Sequence, residues 1–213
     1  MELYGYWRSS ASYRTRIALN FKKLDFNYLP VHLLKDGGQQ HQRAYRQLNP
    51  NGLVPTLVDG PVILHQSLAI IEYLEDKYPE PSLLPGTPQQ RGAIRALALD
   101  LASELQPLIN LRVQQYLKKE LEVSDAQKQA WLDHWFAESF TAFEKNLEEV
   151  SGTYCVGDTF SLADVCLVPQ VYSAQRFGIK LDDYPLLMGV YERLLELPFV
   201  AAAHPNEQPD AEA

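Results

Sequence analysis

Residues 79–88, PEPSLLPGTP, hold four prolines and a glycine. No helix interior or central strand tolerates that density, because each proline fixes φ and removes a backbone donor. The stretch therefore divides the 213 residues into parts that read differently. Before it, extended and helical patterns alternate; after it, every periodic segment is helical. The expectation is a small α/β domain over 1–80, a linker over 81–88 and an all-α helical domain over 89–213.

In the first part Leu3, Tyr4, Tyr6 and Trp7 open an extended apolar piece. A helix from about Ser12 to Lys23 carries Ile17, Ala18 and Phe21, and Phe26 to Leu33 reads as a second strand. KDGGQQHQ (35–42) is loop by its glycines and amides. Val54 to Val58 and Val62 to His65 flank the turn signal Asp59-Gly60-Pro61 and pair as a hairpin. Ser67 is placed as the N-cap of a helix that stops before Pro79.

Beyond the linker, Ile94, Leu97, Leu101, Leu105 and Leu108 mark one helix, kinked by Pro107. Leu132, Phe136, Phe140, Phe143 and Leu147 mark a second. Ser161-Leu-Ala-Asp164 resembles a capping box and opens a third, striped by Leu162, Val165, Pro169 and Tyr172 and closed by Gly178. Tyr184 to Leu197 supplies a fourth, and the polar tail HPNEQPDAEA is expected to fray.

A formal charge of −8 argues against non-specific attraction to nucleic acid or anionic lipid, so an anionic substrate needs a local basic pocket. No apolar run approaches the roughly 20 residues that span a bilayer, and MELYGYWRS lacks a signal-peptide layout, which points to the cytoplasm. Cys155 and Cys166 form no CxxC and no zinc spacing. Both read as reduced packing residues, the five histidines as structural or surface groups, and no metal is expected.

WRSSASYRTRIAL (7–19) sets Ser9 and Ser10 at a strand-to-helix turn, among Arg8, Arg14 and Arg16. A helix N-terminus stabilises anions through its unpaired N–H groups and its dipole. The pair serves either as a plain cap or as part of a site. Arg176 falls at the next step of the 162–172 stripe, so it either projects into a cleft holding an anion or snorkels at a helix C-terminus. Arg112, after Pro107 on the face near Leu105 and Leu108, either faces such a cleft or is a solvated helix charge. Gln66-Ser67 suits a ligand carboxylate, and Val54-Pro55 offers backbone groups to an extended peptide. Together these describe a groove for a small anionic peptide.

On YWRSSASYRTRIAL, LNPNGLVPTL, HQSLAIIEYLEDKYP, GDTFSLADVCLVPQV, AQRF and HPNEQPDA, the sequence resembles the zeta-class glutathione transferases, which include the bacterial maleylacetoacetate and maleylpyruvate isomerases. The resemblance covers essentially the whole chain. It implies a thioredoxin-like N-terminal domain, an all-helical C-terminal domain, a homodimer and a cis Pro55. It implies glutathione as cofactor, its sulfur at Ser9 and Ser10, Val54 on its cysteinyl backbone, and Gln66 with Ser67 on its γ-glutamyl end. Ala11, Ser12, Tyr13, Arg14, Gln40, Pro55, Gln106, Asn110, Leu111 and Arg112 complete the implied glutathione positions. Arg8, Arg112 and Arg176 match positions that hold substrate carboxylates, with Ser9, Ser10, Arg8 and Arg176 the implied catalytic set.

One residue departs from the family motif Ser-Ser-Cys: the third position is Ala11, which removes a protein thiol and leaves both serines. The implied chemistry is cis–trans isomerisation by reversible thiolate addition, with glutathione regenerated. Three alternatives stand beside maleylacetoacetate isomerisation: maleylpyruvate isomerisation, glutathione transfer to α-haloacids, and a non-catalytic interaction module.

Overall fold

β1 (Glu2–Gly5) runs straight into a turn and then α1 (Ser10–Phe21), which crosses back to β2 (Asn27–Pro30). The structure, a computed structural model, describes residues 1–212. After β2 come α2 (Arg43–Leu48), β3 (Thr56–Asp59), β4 (Val62–His65) and α3 (Ser67–Lys77). The four strands form one sheet in the order β2-β1-β3-β4. β1 pairs parallel with β2 and antiparallel with β3, and β3 and β4 form the expected hairpin. A parallel pair requires a crossover, and α1 supplies it. Leu3 and Leu57 from the sheet, Leu19 from α1, and Ile70 and Leu74 from α3 close over one core.

Two details depart from the expectation. The loop 35–42 contains two single turns of 3-10 helix, Lys35–Gly37 and Gln39–His41, and α2 follows it. Ser67 is the first residue of α3, and the cap position is Gln66, with φ 70°. At the other end of α3, Glu75 accepts from the wholly buried Lys22 ammonium at 2.7 Å, from Ser82 Oγ and from Leu83 N–H.

The chain forms two compact units, one of Met1–Leu83 with the residues from Glu196 onward, the other Leu84–Leu195. The second consists of helices: α4 (Pro88–Leu99), α5 (Gln106–Leu108), α6 (Leu111–Lys119), α7 (Asp125–Val150), α8 (Leu162–Arg176) and α9 (Pro185–Leu195). Its core includes Phe136, Phe140, Phe143 and Leu147 from α7 and Val165, Leu167 and Val168 from α8. The helix expected to kink at Pro107 is interrupted instead. Residues Asp100–Leu105 form a π-helical turn in which the Gln106 N–H reaches back five residues to the Leu101 carbonyl. The buried Gln170 side chain donates to that same carbonyl at 2.9 Å.

The Ser161 capping box opens α8, and buried Asp164 accepts from the Ser161 and Cys155 N–H groups. Both cysteines are buried as thiols, and burial pushes the Cys155 thiol well up.

The tail is a correction. α10 (Pro198–Ala201) and the residues after it belong to the first unit instead of fraying. Ahead of the tail, Phe199 meets Phe21 in a tilted ring contact at 5.3 Å; within it, Pro205 is buried, Asp210 Oδ2 accepts from Trp7 N–H at 3.1 Å and Glu212 reaches His32 Nε2 at 3.2 Å. A polar composition does not prevent a segment from docking through hydrogen bonds, and here Asp210 satisfies the N–H of buried Trp7.

Candidate active site

The junction between β1 and α1 is a tight turn, with Ser9 N–H donating to the Tyr6 carbonyl at 3.0 Å. Ser9 is the N-cap: its Oγ accepts from Ser12 N–H at 3.2 Å and its carbonyl from Tyr13 N–H. The cap uses only the hydroxyl oxygen's acceptor capacity, so the hydroxyl hydrogen still has a donor role to fill. The two readings of Ser9 are therefore compatible. Ser10 and Ala11, half-buried, follow in the first turn, where backbone N–H groups lack intrahelical acceptors.

Ser12, Tyr13 and Arg14 follow in the same helix and sit deeper than Ser9, Ser10 and Ala11. All three are buried, at 0%, 1% and 2% exposure, and Ser12 Oγ accepts from the Tyr6 N–H.

The three arginines of the motif separate by environment. Arg16 is wholly buried, with Nε on the Ala203 carbonyl and Nη2 on the Trp7 carbonyl, each at 3.0 Å. Burial pushes its guanidinium below the ordinary value. Arg8 alone of the three stays half-buried. Its guanidinium sits 4.6 Å from the Trp7 ring centroid and Nη2 donates to the Tyr6 hydroxyl. Its Nε is buried without an acceptor among the described residues. A buried guanidinium donor in that state favours an incoming anion.

Val54 belongs to the same cluster as Tyr6 and Trp7, so the structure joins it to the junction. The Val54–Pro55 bond is cis, as expected. Tyr45 holds the segment in place through the Leu53 carbonyl at 2.6 Å and Thr56 Oγ1 at 3.0 Å. Gln66 is exposed, in a positive-φ conformation that a non-glycine residue rarely adopts, just ahead of α3. Ser67 behind it is buried. Gln40 is buried with its Nε2 on the Leu33 carbonyl, while its Oε1 has no donor among the described residues.

In the second unit Gln106 is half-buried in α5. Asn110 caps α6, its Oδ1 accepting from Arg112 N–H at 3.1 Å; Leu111 is the first helical residue and Arg112 is exposed. Arg176, which the stripe placed on the apolar side, is also exposed. It is the last residue of α8, with its guanidinium 4.4 Å from the Phe177 ring, where the helix dipole favours a cation. The i, i+3, i+4 rule loses its force where the helix ends.

The glutathione S-transferase N-terminal domain family matches residues 3–82, and the glutathione S-transferase C-terminal domain family matches residues 110–198. A probable maleylacetoacetate isomerase of Vibrio cholerae serotype O1 is 50% identical over 209 residues, 98% of this chain and 97% of that one. The chain belongs to the glutathione S-transferase family.

Two solved structures resemble this glutathione S-transferase over its full length. A holo maleyl pyruvate isomerase, described as a bacterial glutathione S-transferase of the zeta class, has a TM-score of 0.96 at 43% identity, with 100% of both chains covered. A maleylacetoacetate isomerase from Anaeromyxobacter dehalogenans 2CP-1, with dicarboxyethyl glutathione and citrate in its active site, has a TM-score of 0.87 at 37% identity. It covers 100% of this chain and 97% of that one. The fold is the thioredoxin-like domain plus helical domain of that family. The residues of this transferase suit the tripeptide: a hydroxyl donor at a helix N-terminus for a sulfur anion, the start of α3 for a carboxylate, and an unsatisfied Arg8 donor for an acid.

Proposed function

We propose that the chain is a glutathione-dependent cis–trans isomerase of maleylacetoacetate. One observation carries the reading: Ser9 has an uncommitted hydroxyl proton at the mouth of α1, one residue after an arginine with a buried, unsatisfied Nε–H. Glutathione, when bound, supplies a sulfur nucleophile that adds reversibly to the conjugated double bond, so that the bond becomes single, turns and re-forms on expulsion.

Ser9 donates its hydroxyl hydrogen to the sulfur, and with the α1 N-terminus it lowers a thiol pKa that is ordinarily about 8.5. Ser10 assists. Val54, Pro55, Gln66, Ser67 and Gln40 hold the tripeptide in this reading, and the family resemblance adds Gln106, Asn110 and Leu111 to that set. Arg8, Arg112 and Arg176 hold substrate carboxylates and stabilise negative charge as it grows on the acid. The exposure of Arg112 and Arg176 makes both accessible to a solute. In this reading the protein is a cytoplasmic homodimer, and Ala11 needs no thiol because the sulfur is borrowed.

Maleylpyruvate is the second candidate substrate, supported by the 0.96 TM-score to the maleyl pyruvate isomerase. A spectrophotometric assay of both acids, with and without glutathione, tests the reading. Turnover is expected to require glutathione without depleting it. Loss of one glutathione per turnover points to conjugation, and absence of glutathione binding points to an interaction module.

A further inference from the structure

The turn that presents Ser9 lies outside the sheet, because the β1 ladder ends at Gly5. The Trp7 peptide, two residues before Ser9, therefore finds its partners elsewhere. Its N–H donates to Asp210 Oδ2 at 3.1 Å, and its carbonyl accepts from Arg16 Nη2 at 3.0 Å. Arg16 in turn grips the Ala203 carbonyl. Both backbone polar groups of this buried residue are thus fixed, one directly and one through Arg16, by a segment about 200 positions away in the chain.

The rest of the contact supports the same geometry. Tyr28 Oη donates to Asp210 Oδ2 at 3.5 Å. Gly5 leaves room for that tyrosine, since a Cβ there would stand 2.8 Å from Tyr28 Cε2. Ala211 packs against the cluster of Tyr6, Trp7 and Val54. Glu212 reaches His32 Nε2 at 3.2 Å, while His32 Nδ1 accepts from the Leu34 and Lys35 N–H groups at the entrance to the loop carrying Gln40.

A hydrogen bond weakens steeply with misalignment, and a misplacement of about 1 Å at a catalytic group is worth orders of magnitude in rate. Without Asp210 the Trp7 N–H is a buried donor lacking its acceptor, a state that the turn relieves by shifting. We propose that Asp210 is a positioning residue: acting through the Trp7 peptide, it holds the Ser9 hydroxyl where that hydroxyl stabilises the glutathione sulfur anion. This rests on the function proposed above.

The test compares wild type, Asp210→Ala and Asp210→Asn by ultraviolet titration of the bound glutathione thiol, by isomerase kinetics and by thermal melting. In the wild type the bound thiol titrates below free glutathione. In Asp210→Ala its pKa rises by about one unit and kcat falls on the order of tenfold, with KM for glutathione little changed. Asp210→Asn, whose amide oxygen accepts the same N–H, recovers most of both. A variant that melts lower yet keeps the wild-type thiol pKa and kcat overturns the proposal, leaving the tail a structural latch. If Asp210→Ala does not fold, Asp210→Glu displaces the carboxylate by one methylene and keeps its charge. The same rise in thiol pKa is then expected, and an unchanged value overturns the proposal. A wild type that neither lowers the thiol pKa nor isomerises either acid marks failure of the functional reading itself.

Discussion

In the proposed function Ser9 carries two duties on one hydroxyl, and they separate by substitution. As N-cap it supplies an acceptor to Ser12 N–H; as thiol activator it supplies a proton. Aspartate caps a helix as well as serine does but has no hydrogen to give and repels a sulfur anion. Ser9→Asp is expected to keep the melting temperature within a few degrees and to lower kcat by about a hundredfold or more. Melting and steady-state kinetics on one preparation check both halves. The serine and Arg8 were legible in the sequence because a turn residue at a helix start has few alternatives. Arg14 and Arg16 stand in the same motif and were not separable from Arg8, since only the packed α1 shows that they point inward. Arg176 differs for the opposite reason: a stripe that holds over four positions carries no information one step past the point where the helix still enforces it.

At the scale of elements, Glu75 joins α3 to the end of α1 and to the residues just beyond α3. Burial pushes its carboxyl up, and the hydrogen bonds from Lys22, Ser82 and Leu83 outweigh that effect, so the group lies below its ordinary value. A carboxyl held low in the folded state contributes stability that is present above its ordinary pKa and disappears as pH falls through the folded one. Glu75→Gln is therefore expected to melt below wild type at neutral pH, and the gap should close as pH drops below about 4. Melting curves across that range test the sign. No sequence pattern announced this contact, because Lys22 and Glu75 meet only when α1 packs on α3. The hairpin was legible through Asp59-Gly60-Pro61, whose turn chemistry is local. The six-residue α2 was not, being too short for a periodic signal, and the π turn before Pro107 shares its Leu101 carbonyl with Gln170, far along the chain.

For the whole molecule, the proline-rich stretch lies between an alternating segment and a helical one, but it does not reveal that the chain comes back. The first unit is discontinuous: it takes Val200, Ala203 and the Phe199 ring from the C-terminal end. Arg16 depends on that return. Its buried guanidinium uses the Ala203 carbonyl, and leaving a buried donor unsatisfied costs about 1–3 kcal/mol, more when the group is charged. That figure is a large part of the roughly 5–15 kcal/mol that holds a domain together. Deleting the residues from Glu196 onward removes the Ala203 and Phe199 carbonyls and the Asp210 carboxylate together, while leaving Leu84–Leu195 whole. Urea unfolding of that truncated chain, monitored by hydrogen exchange on residues 1–83, is expected to show the sheet losing protection at lower denaturant than α7 and α8. Equal protection in both units would mean that the first unit is stable without its returning segment, and that the buried contacts of Arg16 contribute little to its folding.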